Sequence, residues 1–340
     1  MDTLPLEMRE LYQKRLWHEL TERMILLDSA EISAVWSGIS LFWDKLNQTK
    51  LVLLAMKATE VQESSTAFVF LDNLSIVESQ ACLLLKIAKS AQYLQIGSTQ
   101  EAQALLEEAQ KQVDRESSLE GVIYSHLYKN LAHLYKLKNN PELFYKYSLQ
   151  YLAYTPQSEV KDPEDLAYRL AISVLLAENI YNLGELLHLP VLKSLEHSKN
   201  AWLYQLIHDC NEGKVREIEK KFEGFPAELK SANFLRKCRI LAMLEFVFVG
   251  NQRVLGFRKL AEVMNVQEPE IEVLVMKAMA LGLIKGEIDE VDRVVSISWL
   301  QPRVLDKIRI SHLNSRLTDW KSTINQVLLH LEVQSKELLE

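Results

Sequence analysis

Apolar residues recur along most of this chain at intervals of three and four, the spacing that puts them on one face of an α-helix. Ala102, Leu105, Leu106, Ala109 and Val113 make one such face. Ser98 and Glu101, three apart just ahead of it, have the spacing of a capping box, and Gly97 closes the preceding helical run near Ala81 to Gln95. A second helical pair follows. Ile123, Leu127, Leu131 and Leu134 form one stripe, Asn139-Asn140-Pro141 interrupt it, and Phe144, Tyr147, Tyr151 and Tyr154 resume it. The first pair starts near Glu78 and the second near Leu119, an offset of about 40 residues that suits helix-turn-helix solenoid repeats. The repetition is one of period and not of residue identity. Ser158 to Pro163 reads as a linker, with Pro163 in the first turn of a helix carrying Leu170, Val174, Ala177 and Tyr181. Shorter helices follow Pro190, broken at Gly213 and at Gly224-Phe225-Pro226. A long helix then carries Leu235, Cys238, Ala242, Phe246 and Val249 along one side and stops at Gly250-Asn251.

The texture changes from Phe257 to Trp299. The pattern predicts a short helix over Phe257 to Met264 and a longer one over Glu268 to Leu281, with Pro269 in its first turn and Gly282 at its end. A strand over Leu283 to Ile288, a turn at Asp289-Glu290-Val291-Asp292 and a second strand complete the unit. In that second strand Val295, Ile297 and Trp299 alternate with Ser296 and Ser298, the period of a sheet with one buried face. Helix-turn-helix followed by a two-stranded wing is a winged helix, with Ile297 and Trp299 expected to anchor the wing. Beyond Pro302 the chain is helical again. Ile310, Leu313, Leu317, Trp320, Ile324, Val327 and Leu331 follow a strict three-four alternation, and Gln334 and Leu338 continue it. So narrow a seam either folds back on its own domain or, as its strictness favours, enters a bundle with other chains.

Composition agrees with a mainly α protein. Only 10 Gly and 8 Pro occur among 340 residues, few breakers for a chain long enough for about two domains. Ile32 to Trp43 is among the longest stretches without a charge, well short of the roughly 20 apolar residues of a membrane span. Met1-Asp2-Thr3-Leu4-Pro5 has neither the basic cap nor the apolar run of a signal peptide, and Cys82, Cys210 and Cys238 imply no disulfide framework. The expectation is a cytosolic or nuclear chain with no membrane partner.

A winged helix invites a nucleic-acid reading, which charge opposes. The whole chain carries a net −7. Gly250 to Pro302 holds six basic residues (Arg253, Arg258, Lys259, Lys277, Lys285, Arg293) against eight acidic ones. Glu268, Glu270 and Glu272 open the would-be recognition helix and would repel phosphates. Ile271, Leu274, Val275 and Ala278 form its inward stripe, while Val273, Met276 and Ala280 make a second apolar face suited to protein. Catalytic motifs fare no better. His-Glu-x-x-His, His-x-His and Cys-x-x-Cys do not occur, and Gly282 to Gly286 lacks the ending of a phosphate loop. His208-Asp209-Cys210 sets a thiol beside a base in sequence, but neighbours on a helix do not face each other. His126 and His133 stand two turns apart, too far to share a metal, and Tyr145, Tyr147, Tyr151 and Tyr154 are expected to pack between repeats. No catalytic, cofactor or metal residue is assigned. What remains is a protein whose surface is its function.

Several stretches resemble one family closely. They are Ile271-Glu272-Val273-Leu274-Val275-Met276-Lys277-Ala278, Gly282 through Asp292, and Trp299-Leu300-Gln301-Pro302-Arg303-Val304-Leu305-Asp306, supported by Leu11 through His18, Asn182 through Leu187 and Phe234 through Cys238. These are similar to the PCI-domain proteins, scaffold subunits of the proteasome lid, the signalosome and a translation initiation factor complex. More narrowly they resemble the 26S proteasome non-ATPase regulatory subunit 13 family. Asp44 to Thr155 matches only in period, and Gly256 stands where the family usually has a hydroxyl cap. The resemblance implies a helical-repeat solenoid over residues 1–165, the helical part of a PCI domain over 166–250, a winged helix over 251–302 and a bundle helix over 303–340. It implies a non-catalytic lid subunit without cofactor, part of a hetero-oligomer with other PCI and MPN subunits and close to a ubiquitin receptor. Val273, Met276, Ala280, Val295, Ile297 and Trp299 would serve the winged-helix contact, and the seam from Ile310 to Leu331 the bundle. The rival readings are a PCI scaffold of the signalosome or initiation factor, and a winged-helix DNA-binding regulator.

Overall fold

Turn residues set the helix boundaries of the first half. The computed structural model describes residues 11–27, 29, 31–32, 35–36, 43–59, 64–74, 76–116, 119–160, 162–250, 253–302, 304 and 307–339. They divide after Asp162 into two compact units. The first contains α1 (Trp17–Ile25), α2 (Gln48–Thr59), α3 (Ser64–Asp72), α4 (Ser79–Ile96), α5 (Thr99–Val113), α6 (Gly121–Leu137) and α7 (Pro141–Tyr154). Helices α4 and α5 form one hairpin and α6 and α7 the next, with α6 packed on both helices of the first.

At the α4–α5 corner Gly97 takes the left-handed conformation (φ +90°) that a side chain would resist. Its N–H reaches the Leu94 carbonyl at 3.3 Å and the Ser98 N–H reaches that of Tyr93 at 3.0 Å, a Schellman closure. The expected capping box does not form: the Ser98 side chain makes no capping bond. The Ser98 N–H that Glu101 would have to bind is already committed to Tyr93. At the next corner Asn139 is left-handed, Asn140 Oδ1 accepts the Leu143 N–H at 3.2 Å, and Pro141 opens α7. Leu20, Met24, Leu54, Ala55, Ala58 and Leu71 form a core against which Trp17, Trp36 and Trp43 pack half-buried. Buried Asn130 of α6 donates to the Ile87 carbonyl (2.8 Å) and to Ser90 Oγ (3.2 Å) of α4. That bond pair pins one hairpin on the next, because losing it would strand polar groups out of water.

The second unit begins with α8 (Pro163–Leu176), α9 (Leu183–His188), a 3₁₀ segment Pro190–Leu195, α10 (Ala201–Asn211), α11 (Val215–Lys221) and α12 (Ala232–Gly250). α8 ends before Ala177 and Tyr181, which the periodicity placed within it. Lys237 of α12 is the cause. Its buried ammonium donates to the carbonyls of Val174 and Ala177, at 2.6 Å each, and lies 5.3 Å over the Tyr181 ring. A cation on the orphan carbonyls of a helix end is favoured by both hydrogen bonding and the macrodipole. α12 is enclosed on several sides: Phe234, Cys238, Leu241, Ala242 and Met243 are buried, whereas Val249 of the expected stripe is exposed.

The winged helix consists of β1 (Val254–Gly256), α13 (Phe257–Met264), α14 (Glu268–Ala280), β2 (Ile284–Asp289) and β3 (Val294–Leu300). The sheet is antiparallel in the order β1-β3-β2. β1 was not anticipated, since three residues carry too little alternation to register. A bulge interrupts the β2–β3 ladder: Lys285 faces Trp299 but Gly286 faces Ile297, leaving Ser298 as the extra residue. Gly286 is required there, because a Cβ would lie 2.0 Å from the Ser296 carbonyl oxygen. The bulge also reverses the alternation beyond it. Val295 (0 % exposed) and Ile297 (5 %) face the core, but Trp299 is 41 % exposed and does not anchor the wing as expected. The last described element is one 33-residue helix, α15 (Lys307–Leu339).

Candidate interaction surfaces

The winged helix is held to the preceding helices by a charged junction. Arg239 of α12 donates to Glu219 of α11 at 3.1 Å and approaches Glu270 of α14 at 3.7 Å. Asn265, between α13 and α14, donates to the same Glu219, and Arg216 donates to the Glu262 carbonyl at 3.3 Å. These residues escaped sequence reasoning, since their partners lie 20 or more positions away. With α14 so oriented, Ile271, Leu274, Val275 and Ala278 point into the core and Val273, Met276 and Ala280 outward. Val273 is 60 % exposed and Met276 47 %. On the sheet, Trp299 lies exposed beneath the Lys285 ammonium, 5.2 Å from its ring centre. Of the six winged-helix residues expected to meet a partner, then, four are at the surface. Val295 and Ile297, expected at that contact, are instead enclosed under the sheet as core positions.

α15 carries the second surface. All seven seam residues, Ile310, Leu313, Leu317, Trp320, Ile324, Val327 and Leu331, are between 46 % and 64 % exposed. Leu328 widens the stripe and is exposed as well. Three heptads rise about 31 Å along a helix axis. A contiguous apolar stripe of that length is far more than scattered surface hydrophobics.

The candidate chemistry is not assembled. His208 is exposed, 3.5 Å from Glu212, and Asp209 faces Lys221 at 3.4 Å. Cys210 turns inward, its Sγ 3.6 Å from that of Cys238. The hydrogen bond with Cys238 and burial push the Cys210 thiol well above its ordinary range, so it is protonated and no nucleophile in this fold. His126 Nδ1 lies 2.9 Å from the Val122 carbonyl. Among the described residues no group of three or more His, Cys, Asp and Glu is placed to hold a metal, and no helix is long and apolar enough to cross a membrane.

Tyr147 and Tyr154 stack on rings of α6 within one hairpin. Tyr154 stacks on Tyr124 at 4.9 Å and on Tyr128 at 5.8 Å, and Tyr147 on Tyr135 at 5.3 Å. The tight Asn139-Asn140 corner brings α6 and α7 antiparallel and face to face, so their rings meet each other first. Burial, then the neighbouring hydroxyls, raise the Tyr128 phenol above its usual value.

Helical repeats followed by a helical layer and a winged helix define a PCI-domain protein, and a PCI-domain family model matches residues 218–299. A second model, for PSD13 N-terminal repeats, matches residues 5–207, more than half of the chain. The chain belongs to the 26S proteasome non-ATPase regulatory subunit 13 family. It is 30 % identical to the probable 26S proteasome regulatory subunit rpn9 of Schizosaccharomyces pombe, across 97 % of this chain and 91 % of that one. With 26S proteasome regulatory subunit RPN9 of Saccharomyces cerevisiae it shares 28 %, across 98 % and 93 %. Similarity to eukaryotic translation initiation factor 3 subunit M of Dictyostelium discoideum is lower, 24 % across 61 % of this chain and 53 % of that one.

Proposed function

We propose that this chain is a non-catalytic scaffold subunit of the 26S proteasome regulatory particle lid. It supports lid assembly, and through it ubiquitin-dependent protein degradation, by docking its winged helix on another PCI subunit and α15 into a bundle with PCI and MPN subunits. A ubiquitin-receptor subunit lies close by, and the assembly works in cytoplasm and nucleus. Residues 1–165 act as the repeat arm, 166–250 and 251–302 as the PCI domain, and 303–340 as the bundle helix. The observation that carries this reading is the unbroken apolar seam on α15, exposed at every position, in a chain of a proteasome-subunit family. The outward Val273, Met276 and Ala280 support it: a partner there meets apolar side chains beside the carboxylates of Glu268 and Glu272, acceptable to protein and hostile to phosphate.

The test uses the tagged full chain, a version ending before Ile310 and a Trp320→Asp variant, each expressed in its own cells and recovered complexes weighed by native mass spectrometry. Substituting a half-exposed seam residue leaves subunit stability within about 0.5 kcal/mol. Loss of one aromatic anchor from a bundle costs about 2–4 kcal/mol, a drop in incorporation of at least tenfold. Equal incorporation of all three chains would sink the proposal, and recovery with initiation-factor subunits alone would replace it with the rival scaffold.

A further inference from the structure

Beyond the docking surfaces, the second unit encloses a pair of thiols for which the scaffold role has no use. Cys210 lies in the last turn of α10 and Cys238 in the first half of α12; both are buried, with their sulfurs 3.6 Å apart. The third cysteine, Cys82, belongs to the other unit, where its thiol contacts the Ile76 carbonyl at 3.6 Å. We propose that Cys210 and Cys238 are a modification site: a latent intrachain disulfide that peroxide closes to staple α10 to α12. A disulfide has sulfurs about 2.05 Å apart, so closure asks the two helices and their χ1 angles for about 1.5 Å of movement. That is a small adjustment between neighbouring helices already in contact.

The reaction is a two-electron oxidation. One thiol, deprotonated, attacks a peroxide oxygen; the O–O bond breaks, leaving a sulfenic acid and, with the thiol's proton, one water. The second sulfur then attacks the sulfenic sulfur, the S–O bond breaks, and hydroxide leaves with the second thiol's proton as another water. Two thiols and one peroxide thus give one disulfide and two waters. In the closed fold the sulfurs are shielded, and the hydrogen bond with Cys238 together with burial keeps the Cys210 thiol protonated. The first step therefore waits for α10 and α12 to part, and the second follows at once because the fold returns the sulfurs to each other. Oxidation is slow and selective, and its rate levels off at the opening rate as peroxide is raised. Once formed, the bond closes a loop that contains all of α11 and the Glu219 carboxylate on which the winged helix is seated. The staple would hold the junction on which α14 depends.

The experiment uses the purified full-length chain, treated with hydrogen peroxide under native conditions, quenched in acid, unfolded and alkylated with N-ethylmaleimide. Intact mass is expected to show the loss of two hydrogens and a single alkylated thiol, against three in the untreated chain. Peptide mapping places the bond between Cys210 and Cys238, and dithiothreitol restores three thiols. A bond made within the native geometry raises the melting temperature of the second unit by about 5–10 °C. The Cys82→Ser chain forms the same bond, going from two alkylated thiols to none, and Cys238→Ser keeps both its remaining thiols and forms no intrachain bond. The proposal fails if three alkylatable thiols persist, if the bond involves Cys82, if only sulfinic or sulfonic acids accumulate, or if the bonded chain melts lower than the reduced one.

Discussion

Replacing Lys237 probes how the second unit ends one helix by means of another. Its ammonium makes two hydrogen bonds of 2.6 Å to the Val174 and Ala177 carbonyls, and the side chain is only 4 % exposed. Hydrogen bonds from a charged donor contribute about 1.5–3 kcal/mol each, and each carbonyl stranded without a partner costs about 1–3 kcal/mol. Against this stands the desolvation of the ammonium, which removal of the charge relieves. Lys237→Met keeps most of the apolar stem and deletes the donor, so its net cost is expected at about 2–4 kcal/mol. Lys237→Ala loses stem packing as well and should cost about 1–2 kcal/mol more. Guanidinium titration of the full chain, followed through the second unit's transition, measures both. Hydrogen exchange localises the effect, because the last turn of α8 should lose protection while α4 to α7 do not. If Lys237→Met is neutral or stabilising, the ammonium's desolvation cancels its bonds, and the reasoning that Lys237 terminates α8 to net advantage is refuted.

Three further outcomes follow from the same structure. Gly286→Ala brings a methyl group onto the Ser296 carbonyl, so the β2–β3 bulge must dissolve; a loss of about 3 kcal/mol or more in chemical denaturation is expected, and a loss under 1 kcal/mol would mean the bulge is not as described. Ile297→Ala should cost about 3 kcal/mol and Trp299→Ala only about 1–2 kcal/mol, despite the larger ring, since Trp299 is two-fifths exposed; the reverse order would place the bulge elsewhere. Tyr181 is pushed up to about 12, first by burial and then by Glu178. Its folded-state value exceeds the unfolded value near 10, so the stability it contributes is complete below pH 10 and is lost as pH rises towards 12. Ultraviolet phenolate titration should show that Tyr181→Phe removes one step near pH 12, and an unchanged late amplitude in that variant would contradict the assignment.

Local signals in the sequence were legible wherever a single element decided the outcome. Phe257 to Met264 was bounded correctly; Gly256 precedes the helix, and Asn265 after it is left-handed in the structure. Asn140 and Pro141 announced α7, and the seam on α15 follows from period alone. What failed depended on a second strand or helix. Strict alternation put Trp299 inside with Val295 and Ile297, because a bulge is a property of two strands and only Gly286 on the partner hinted at it. The end of α8 was misplaced because the residue that ends it, Lys237, comes 60 positions after Ala177, and beside Arg236 and Arg239 nothing local singles it out. The capping box at Ser98 failed for a similar reason, the N–H it needed being taken by the previous helix. Surface and core cannot be told apart by residue type alone, which is why the six winged-helix candidates separated into four outward and two enclosed.

The same distinction bears on how the two surfaces work. α14 and the sheet are rigid: their inward sides are bound into the core, and the Arg239, Glu219 and Glu270 junction fixes their direction, so their outward residues are displayed at no ordering cost. α15 is different in kind. Every described side chain from Ile310 to Leu331 is exposed, so packing contributes little to holding it helical, and helices in water without a packed face are marginal. Its seam acquires its stabilisation where apolar surface is offered by other helices, and ordering is charged against that gain. In the proposed scaffold role the winged helix would dock as a preformed body and α15 would be secured as a second, conditional event. Contact at the first surface would raise the effective concentration of α15 at the bundle and make the tail a check on correct neighbours instead of an independent adhesive.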